Sequence, residues 1–380
     1  MAKSKSKTKS NGLKFKKIFT FIVLILIVIF VLVCYFNPAI YKRIITLLNG
    51  DISSPPEGEH VVVETLEDAE VHFIDVGQGD AILITLPDYK NVLIDAGDRN
   101  KDNNNHLIEY VKENAHKKGL FKTVTIDYFI LTHPDADHAG GADEILEEFD
   151  VRKVFRPYVK YSGDADTYSS SFNKGSYESH TLTYSEFLSA VEDEKYGKEE
   201  TQCEWEFFNF QSDFSGGVIY NDVKYSYYFD FLSPVTAVEK ISYTDINDYS
   251  PIIKFSYQDT SVMLTGDAEN EAEADFVKHY LAGDDYLDVD VLKVGHHGSR
   301  TSTTQAFLDL VKPEVAVISC GEGNDYKHPH QAPLNRLFAL GCSLYRTDLH
   351  GDVVMNIDYT GKYGFITDKE NENVYVSPEQ

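Results

Sequence analysis

The chain has 380 residues, room for one large domain or two small ones, and a formal net charge of −26. That balance argues against a broad basic surface for polyanions. Outside the first 50 residues there are three cysteines, Cys203, Cys320 and Cys342, and no CxxC pair, so one disulfide can form and a disulfide framework is excluded.

Residues 1–50 stand apart. "MAKSKSKTKSNGLKFKK" carries seven lysines and no acid, and "IFTFIVLILIVIFVLVCYF" then runs from Ile18 to Phe36 without a charge. A helix of that length rises about 28 Å, roughly one hydrocarbon core. The run is too long for the apolar segment of a cleaved signal peptide, no small-x-small cleavage site follows, and it is apolar on every face. A single uncleaved transmembrane anchor is therefore expected at 18–36. The lysines ahead of the span outnumber Lys42 and Arg43 behind it, which assigns 1–17 to a basic cytoplasmic tail and the bulk of the chain to the extracytoplasmic side. Residues 37–70, with two prolines and a charge-rich end over 50–70, read as an exposed linker. Residues 51–380 carry 26 basic and 61 acidic residues, a net of −35.

From Val71 the pattern changes. "VHFIDVGQGDAILITL" predicts two strands around a glycine-rich turn, and "NVLIDAGD" a third. "NHLIEYVKENAHKKGL" has helical spacing with Gly119 as its C-cap. "IDYFILT" is a short apolar strand of the kind buried on both faces. It runs directly into "HPDADH", and "ADEILEEF" resumes helical spacing. Residues 157–230 are rich in Tyr, Ser, Asp and Glu. They read as a variable insert with one helix at "YSEFLSAVEDEK". Their tyrosines suggest a sugar or polymer surface, or ordinary strands with half-buried aromatics. Strand–helix alternation returns at "SPIIKFSYQDTSVMLTGD" and "DVDVLKVGHHGS". It continues to a C-terminal hairpin at "GDVVMNIDYTGKYGFIT".

"HPDADH" packs His133, Asp135, Asp137 and His138 into six positions at a strand's C-terminal end. Open α/β sheets place their sites there. In an extended loop the first three project to one side, and the turn brings His138 alongside. Imidazole with carboxylate suits zinc, manganese or iron, and the absence of thiolate argues against a structural zinc. A helix N-cap at Asp137 explains one of the four residues, not the set. Further candidates stand at other strand tips: Asp95 in "LIDAGD", Asp267 in "LTGDAE", His296 and His297 in "VGHHGS", and His328 and His330 in "KHPH".

In this order, "FIDVGQGDAILI", "LIDAG", "HPDADHAGG", "LTGDAE", "LKVGHHGSRTS" and "KHPH" resemble the metallo-β-lactamase superfamily, and more narrowly the extracytoplasmic hydrolase domain of ComEC/Rec2 competence proteins. The resemblance implies an α/β fold, an αββα sandwich, over about 71–370. It implies two divalent ions, Zn or Mn, sharing an activated water. His133, Asp135, Asp137 and His138 match the main metal motif, Asp267 the bridging carboxylate, His297 and His328 the C-terminal histidine ligands, and Asp95 a structural carboxylate. The pairs His296/His297 and His328/His330 are not ranked by the sequence. Asp137, with His296 or His330 as proton donor, would serve catalysis. The superfamily usually has histidine at Asp135, and another histidine just upstream of the bridging aspartate, where this chain has "INDYSPIIKF".

The expected activity is metal-dependent hydrolysis of a phosphodiester, with single-stranded nucleic acid as a candidate substrate and the membrane as the other contact. The alternatives are another ester, such as a phosphorylcholine-type diester or a lactone, and a non-catalytic surface-binding protein that kept the fold. In ComEC-like proteins this domain accompanies a polytopic channel. One apolar span is not expected to form such a channel by itself.

Overall fold

The computed structural model describes residues 60–378 apart from 119–122, 160–180, 198–202, 210–211, 236–241, 281–284 and 372–373. The expected tail, the anchor at 18–36, Gly119 and most of the linker lie outside the described residues. No helix among the described residues is long and apolar enough to cross a membrane.

The first half of the domain runs β1 (His60–Val62), β2 (Ala69–Phe73), β3 (Ile82–Thr85), β4 (Asn91–Ile94), α1 (Lys101–Asn114), β5 (Lys117–Lys118), β6 (Thr123–Ile130), α2 (Ala136–Ala139), α3 (Ala142–Glu148), β7 (Asp150–Arg156), α4 (Leu182–Gly197) and β8 (Glu204–Phe207). The second half runs β9 (Phe214–Tyr220), β10 (Val223–Phe231), β11 (Ile253–Tyr257), β12 (Thr260–Leu264), α5 (Asn270–His279), β13 (Val291–Lys293), α6 (Gln305–Val311), β14 (Val315–Ile318), α7 (Gln331–Leu340), β15 (Ser343–Arg346), α8 (Thr347–His350), β16 (Val353–Ile357) and β17 (Tyr363–Thr367). One sheet has the order β17-β16-β2-β3-β4-β6-β7-β8, with β5 added beside β6. The other has the order β1-β9-β10-β11-β12-β13-β14-β15.

The period-2 geometry of the strands decides the layers. In β3, Ile82 and Ile84 face the space between the sheets, while Leu83 faces outward with Leu107 and Val111 of α1 and Ile145 of α3. In β12, Val262 and Leu264 face the same inner space, while Met263 packs outward with Phe276 of α5 and Phe307 of α6. Apolar residues on both faces of each sheet require a helical layer on both sides, and the result is the αββα sandwich that the sequence predicts.

Three sequence expectations are refined. Residues 60–62, inside the expected linker, form β1, which pairs in parallel with β9. Within 157–230, β8 extends the first sheet beside β7, and the β9–β10 hairpin is a body strand pair of the second. Tyr227, Phe229 and Phe231 of β10 are buried in the inter-sheet core, so these aromatics are core strands rather than a polymer surface. Cys203, Cys320 and Cys342 are all buried and unlinked.

Candidate metal centre

The site is assembled from loops that leave strand ends along one edge of the sandwich. Asp95 follows β4, Thr132 and His133 follow β6, Asp267 follows β12, His296 and His297 follow β13, and the loop holding His328 and His330 follows β14. Several of these residues take left-handed backbone angles that are costly for side-chain-bearing residues: Asp95 at φ 59°, His296 at φ 45° and His297 at φ 50°. Two left-handed residues in succession turn the chain sharply within "GHHG". His297 points into the interior, while His296 stays partly open.

His133, Asp137, His138, Asp267 and His297 converge. Ligand-type atoms of His133, Asp137 and His138 lie within 4.8 Å of one another, and so do those of Asp80, His138, Asp267 and His297. His138 Nε2 is 3.1 Å from Asp267 Oδ1 and 3.2 Å from His297 Nε2. His297 Nε2 is in turn 3.3 Å from Asp137 Oδ2 and 3.4 Å from Asp267 Oδ2.

The back of each ring is fixed. His138 Nδ1–H donates to Asp95 Oδ2 at 2.7 Å, and Asp95 also accepts from the Thr132 backbone N–H and hydroxyl, each at 2.7 Å. His297 Nδ1–H donates to the Ser319 carbonyl at 2.9 Å, with Asp80 Oδ1 at 3.4 Å on the same side. These contacts leave both Nε2 atoms aimed into the cluster, the arrangement by which acceptors behind a ligand histidine set its tautomer.

The electrostatics match. Burial and the neighbouring His138 push His133 down to about 3, so its imidazole is neutral. Its Nε2 is buried without a hydrogen-bond partner. Burial opposes charge on Asp267 and on Asp137, but the surrounding histidines outweigh it and hold both carboxylates below their usual range. Burial opposes charge on His138 and His297 as well, but Asp267 and the neighbouring carboxylates outweigh it and hold both imidazoles well above their usual range in the metal-free chain. A bound cation would take the place of those protons, and imidazole nitrogen with carboxylate oxygen facing one volume, without thiolate, fits one or two divalent ions of the zinc or manganese kind.

The remaining candidates stand at the edge. Asp135 Oδ2 is 3.9 Å from His133 Nε2 on a side chain that is 40% exposed, and burial with the nearby Asp137 raises its carboxyl to about 6. His296 Nδ1–H donates to Glu269 Oε1 at 2.5 Å, and its Nε2 lies 3.7 Å from Asp267 Oδ2. His328 packs its ring 5.2 Å from that of His296 and 6.1 Å from that of His297. His330 Nδ1 accepts the Arg300 backbone N–H at 3.0 Å, which turns that nitrogen away from the cluster. In the segment where the superfamily usually has its extra histidine, Asp248 accepts from the Glu269 and Ala272 backbone N–H groups and so caps α5. Ser250 lies between His133 and Asp267, 3.3 Å from His133 Nδ1, and its oxygen accepts the Asp267 N–H at 3.1 Å.

Sequence reasoning missed Asp80 and Lys293. Both are fully buried and paired, Lys293 Nζ to Asp80 Oδ2 at 2.9 Å, directly behind His297. The available signals were a lysine inside the apolar run "DVLKVG" and an aspartate closing "GQGD". The glycine before that aspartate has a steric reason: at Gly79, φ 154°, a Cβ would meet the Asp137 carbonyl oxygen at 2.3 Å. The "GQGD" turn thus lies against the ligand loop, and the Asp80 N–H donates to that same carbonyl at 3.2 Å.

A family model described as the metallo-β-lactamase superfamily matches residues 74–193, the stretch from the end of β2 into α4. The chain is 30% identical over 299 residues to ComE operon protein 3 of Bacillus subtilis, a match covering 75% of this chain and 33% of that one. It is 29% identical over 287 residues to Recombination protein 2 of Haemophilus influenzae, covering 76% of this chain and 29% of that one. The chain is a ComEC/Rec2-like protein of the metallo-β-lactamase superfamily. It spans about a third of the length of these two relatives. Among solved structures it is similar to zinc-bound PqqB from Methylobacterium extorquens, at 10% identity and a TM-score of 0.39, covering 72% of this chain and 97% of that chain. In this superfamily member the metal-motif positions His133, Asp137 and His138 meet Asp267 and His297 in space, as their order in the sequence implies.

Proposed function

We propose that the chain is a metal-dependent phosphodiesterase whose catalytic domain stands outside the cytoplasmic membrane, held by an anchor at residues 18–36. The observation that carries the hydrolase reading is the convergence of three imidazoles and two carboxylates from separate strand ends on one buried volume. The ring backs of His138 and His297 are satisfied, and His133 Nε2 and Asp267 Oδ1 are buried in the cluster without a hydrogen-bond partner. His133, Asp137, His138, Asp267 and His297 would hold the ions, with Asp135 and His328 at the rim. Divalent ions bound there supply Lewis acidity and lower the pKa of water.

The chain's own groups do the rest. Asp95 locks the His138 ring, and Ser319 locks the His297 ring. Glu269 accepts a hydrogen bond from His296 Nδ1–H, and Asp267 and Glu269 raise the imidazole against its burial, so the protonated ring carries a second N–H at Nε2, facing the cluster from a partly open position. His296 Nε2 is therefore placed to give a proton to a leaving alkoxide. His330, tied to the Arg300 backbone, positions that turn instead. The phosphodiester assignment rests on likeness to the competence relatives, and the location on the lysine asymmetry around the apolar run.

The test uses the full chain in detergent, analysed for bound metal and assayed with zinc and with manganese. The substrates are bis-p-nitrophenyl phosphate, single-stranded DNA, a phosphomonoester and a lactone. Turnover of the diesters with at least one metal is expected, and it should be lost in Asp267→Asn. Turnover of the lactone alone would leave the metal site and remove the phosphodiester assignment. Protease added to intact cells should release the domain near residues 50–70; protection until the membrane is broken overturns the location.

A further inference from the structure

The loop after β14, "GEGNDYKHPH", carries a side chain that the site described above does not use. Tyr326 is 64% exposed. Its ring is stacked on that of His328, with centroids 5.6 Å apart and planes 19° apart. His328 is buried and packs against His296 and His297, so a ladder of rings leads from the ligand cluster to the surface and ends in Tyr326. One face of the tyrosine is covered by the imidazole. Exposure of this size leaves the other open.

The loop is built to hold this arrangement. The Asn324 side chain donates to the Gly321 and His328 carbonyls at 2.9 and 2.7 Å and accepts the His328 N–H at 2.9 Å. Lys327, between the two stacked rings, takes a left-handed φ of 64°. That conformation turns Tyr326 out and His328 in from neighbouring positions. A large apolar ring fixed at the mouth of a polar site, with one face free, is a surface for another planar ring.

The charge balance favours the same ligand. A domain with 26 basic and 61 acidic residues over 51–380 has little counterion release to gain from a phosphate backbone. Stacking needs no cation and supplies affinity regardless of salt. We infer that Tyr326 is the stacking platform for an unpaired nucleobase whose phosphate lies at the metal cluster, which makes it a specificity-determining residue for nucleotide diesters. The inference rests on the phosphodiesterase reading above and assigns its substrate class.

The experiment measures binding rather than turnover. Full chain loaded with manganese is titrated calorimetrically with thymidine 5′-monophosphate and with deoxyribose 5-phosphate, which carries the same phosphate and no base. Wild type should bind the nucleotide on the order of 10-fold more tightly, the size of one stacking contact. Tyr326→Ala should erase that preference with deoxyribose 5-phosphate affinity unchanged, and Tyr326→Phe should restore it. A merely structural role would shift both ligands together. If wild type shows no preference, or if Tyr326→Ala keeps it, the platform is overturned, even with diesters cleaved. If the preference behaves as expected while no phosphodiester is cleaved with zinc or manganese, the hydrolase reading fails and the platform stands.

Discussion

Lys293 and Asp80 show how a buried charge pair can support the centre from behind His297. The ammonium is wholly buried at the end of β13, donates to Asp80 at 2.9 Å and to the Val294 carbonyl at 2.8 Å, and has no solvent to replace either partner. Removing one member of such a pair leaves an uncompensated buried charge. Lys293→Met should therefore lower stability by roughly 3–5 kcal/mol, read as a drop in the chemical-denaturation midpoint of the metal-free protein. A change below 1 kcal/mol would show that Asp80 is stabilised by other groups. Asp95 acts differently. It holds the His138 ring through Nδ1, while its other oxygen takes the Thr132 N–H. Asp95→Asn keeps the volume and loses one acceptor, so metal affinity should fall roughly 10- to 100-fold with little change in far-ultraviolet circular dichroism. Competition with a chelating dye measures that loss, and unchanged affinity would remove Asp95 from the metal site's support.

At the scale of elements, the site depends on how α5 and the loop before α6 are tied together. Glu273 of α5 is buried and accepts the Thr304 N–H at 2.7 Å and the Thr303 N–H at 2.5 Å, where Thr303 has a left-handed φ of 53°. Burial pushes its carboxyl up to about 7, against the pull of those donors. The folded state then keeps a proton that the unfolded chain has released above pH 4.5. Stability must fall as pH rises from there through 7. Glu273→Gln cannot titrate. Its stability relative to wild type should improve by an amount on the order of 3 kcal/mol between pH 4 and pH 8, measured by urea unfolding at both pH values. A constant difference would show that the donors hold Glu273 ionised. Much of this architecture was legible in the sequence. Short apolar runs located β3, β4, β6, β12 and β13, and turns carrying His or Asp followed β4, β6, β12 and β13. The β8–β10 region was not legible as core, because its strands carry tyrosine and serine in place of a clean apolar alternation. Asp80 and Lys293 were hidden because a turn aspartate and a strand lysine look solvent-facing until the fold brings them together. His296 and His297 could not be ranked, since adjacent residues diverge here only through two successive left-handed turns.

For the molecule as a whole, the relevant quantity is the negative field of the domain. With a net of −35 over 51–380, the surface concentrates cations and repels extended polyanions, and salt weakens both effects over a screening length of about 8 Å at physiological ionic strength. The cluster inside is shielded by protein and gains most from multivalent ions. Arg300 is exposed in the turn that carries His296 and His297, Lys327 in the turn that carries His328 and His330, and they are the exposed cations nearest the ring ladder in sequence. If both meet phosphate, a single-stranded oligonucleotide should bind the metal-loaded chain with a slope of log affinity against log salt of about −1.4, two contacts at about −0.7 each. Manganese affinity of the metal-free chain should also weaken as sodium chloride rises, because monovalent ions screen the same field that draws the metal in. Fluorescence anisotropy across a salt series measures the first quantity and calorimetry the second. A slope of −4 or steeper would reveal a basic track across the fold, and the domain would then bind nucleic acid mainly through its backbone rather than through one base and one phosphate at the metal centre.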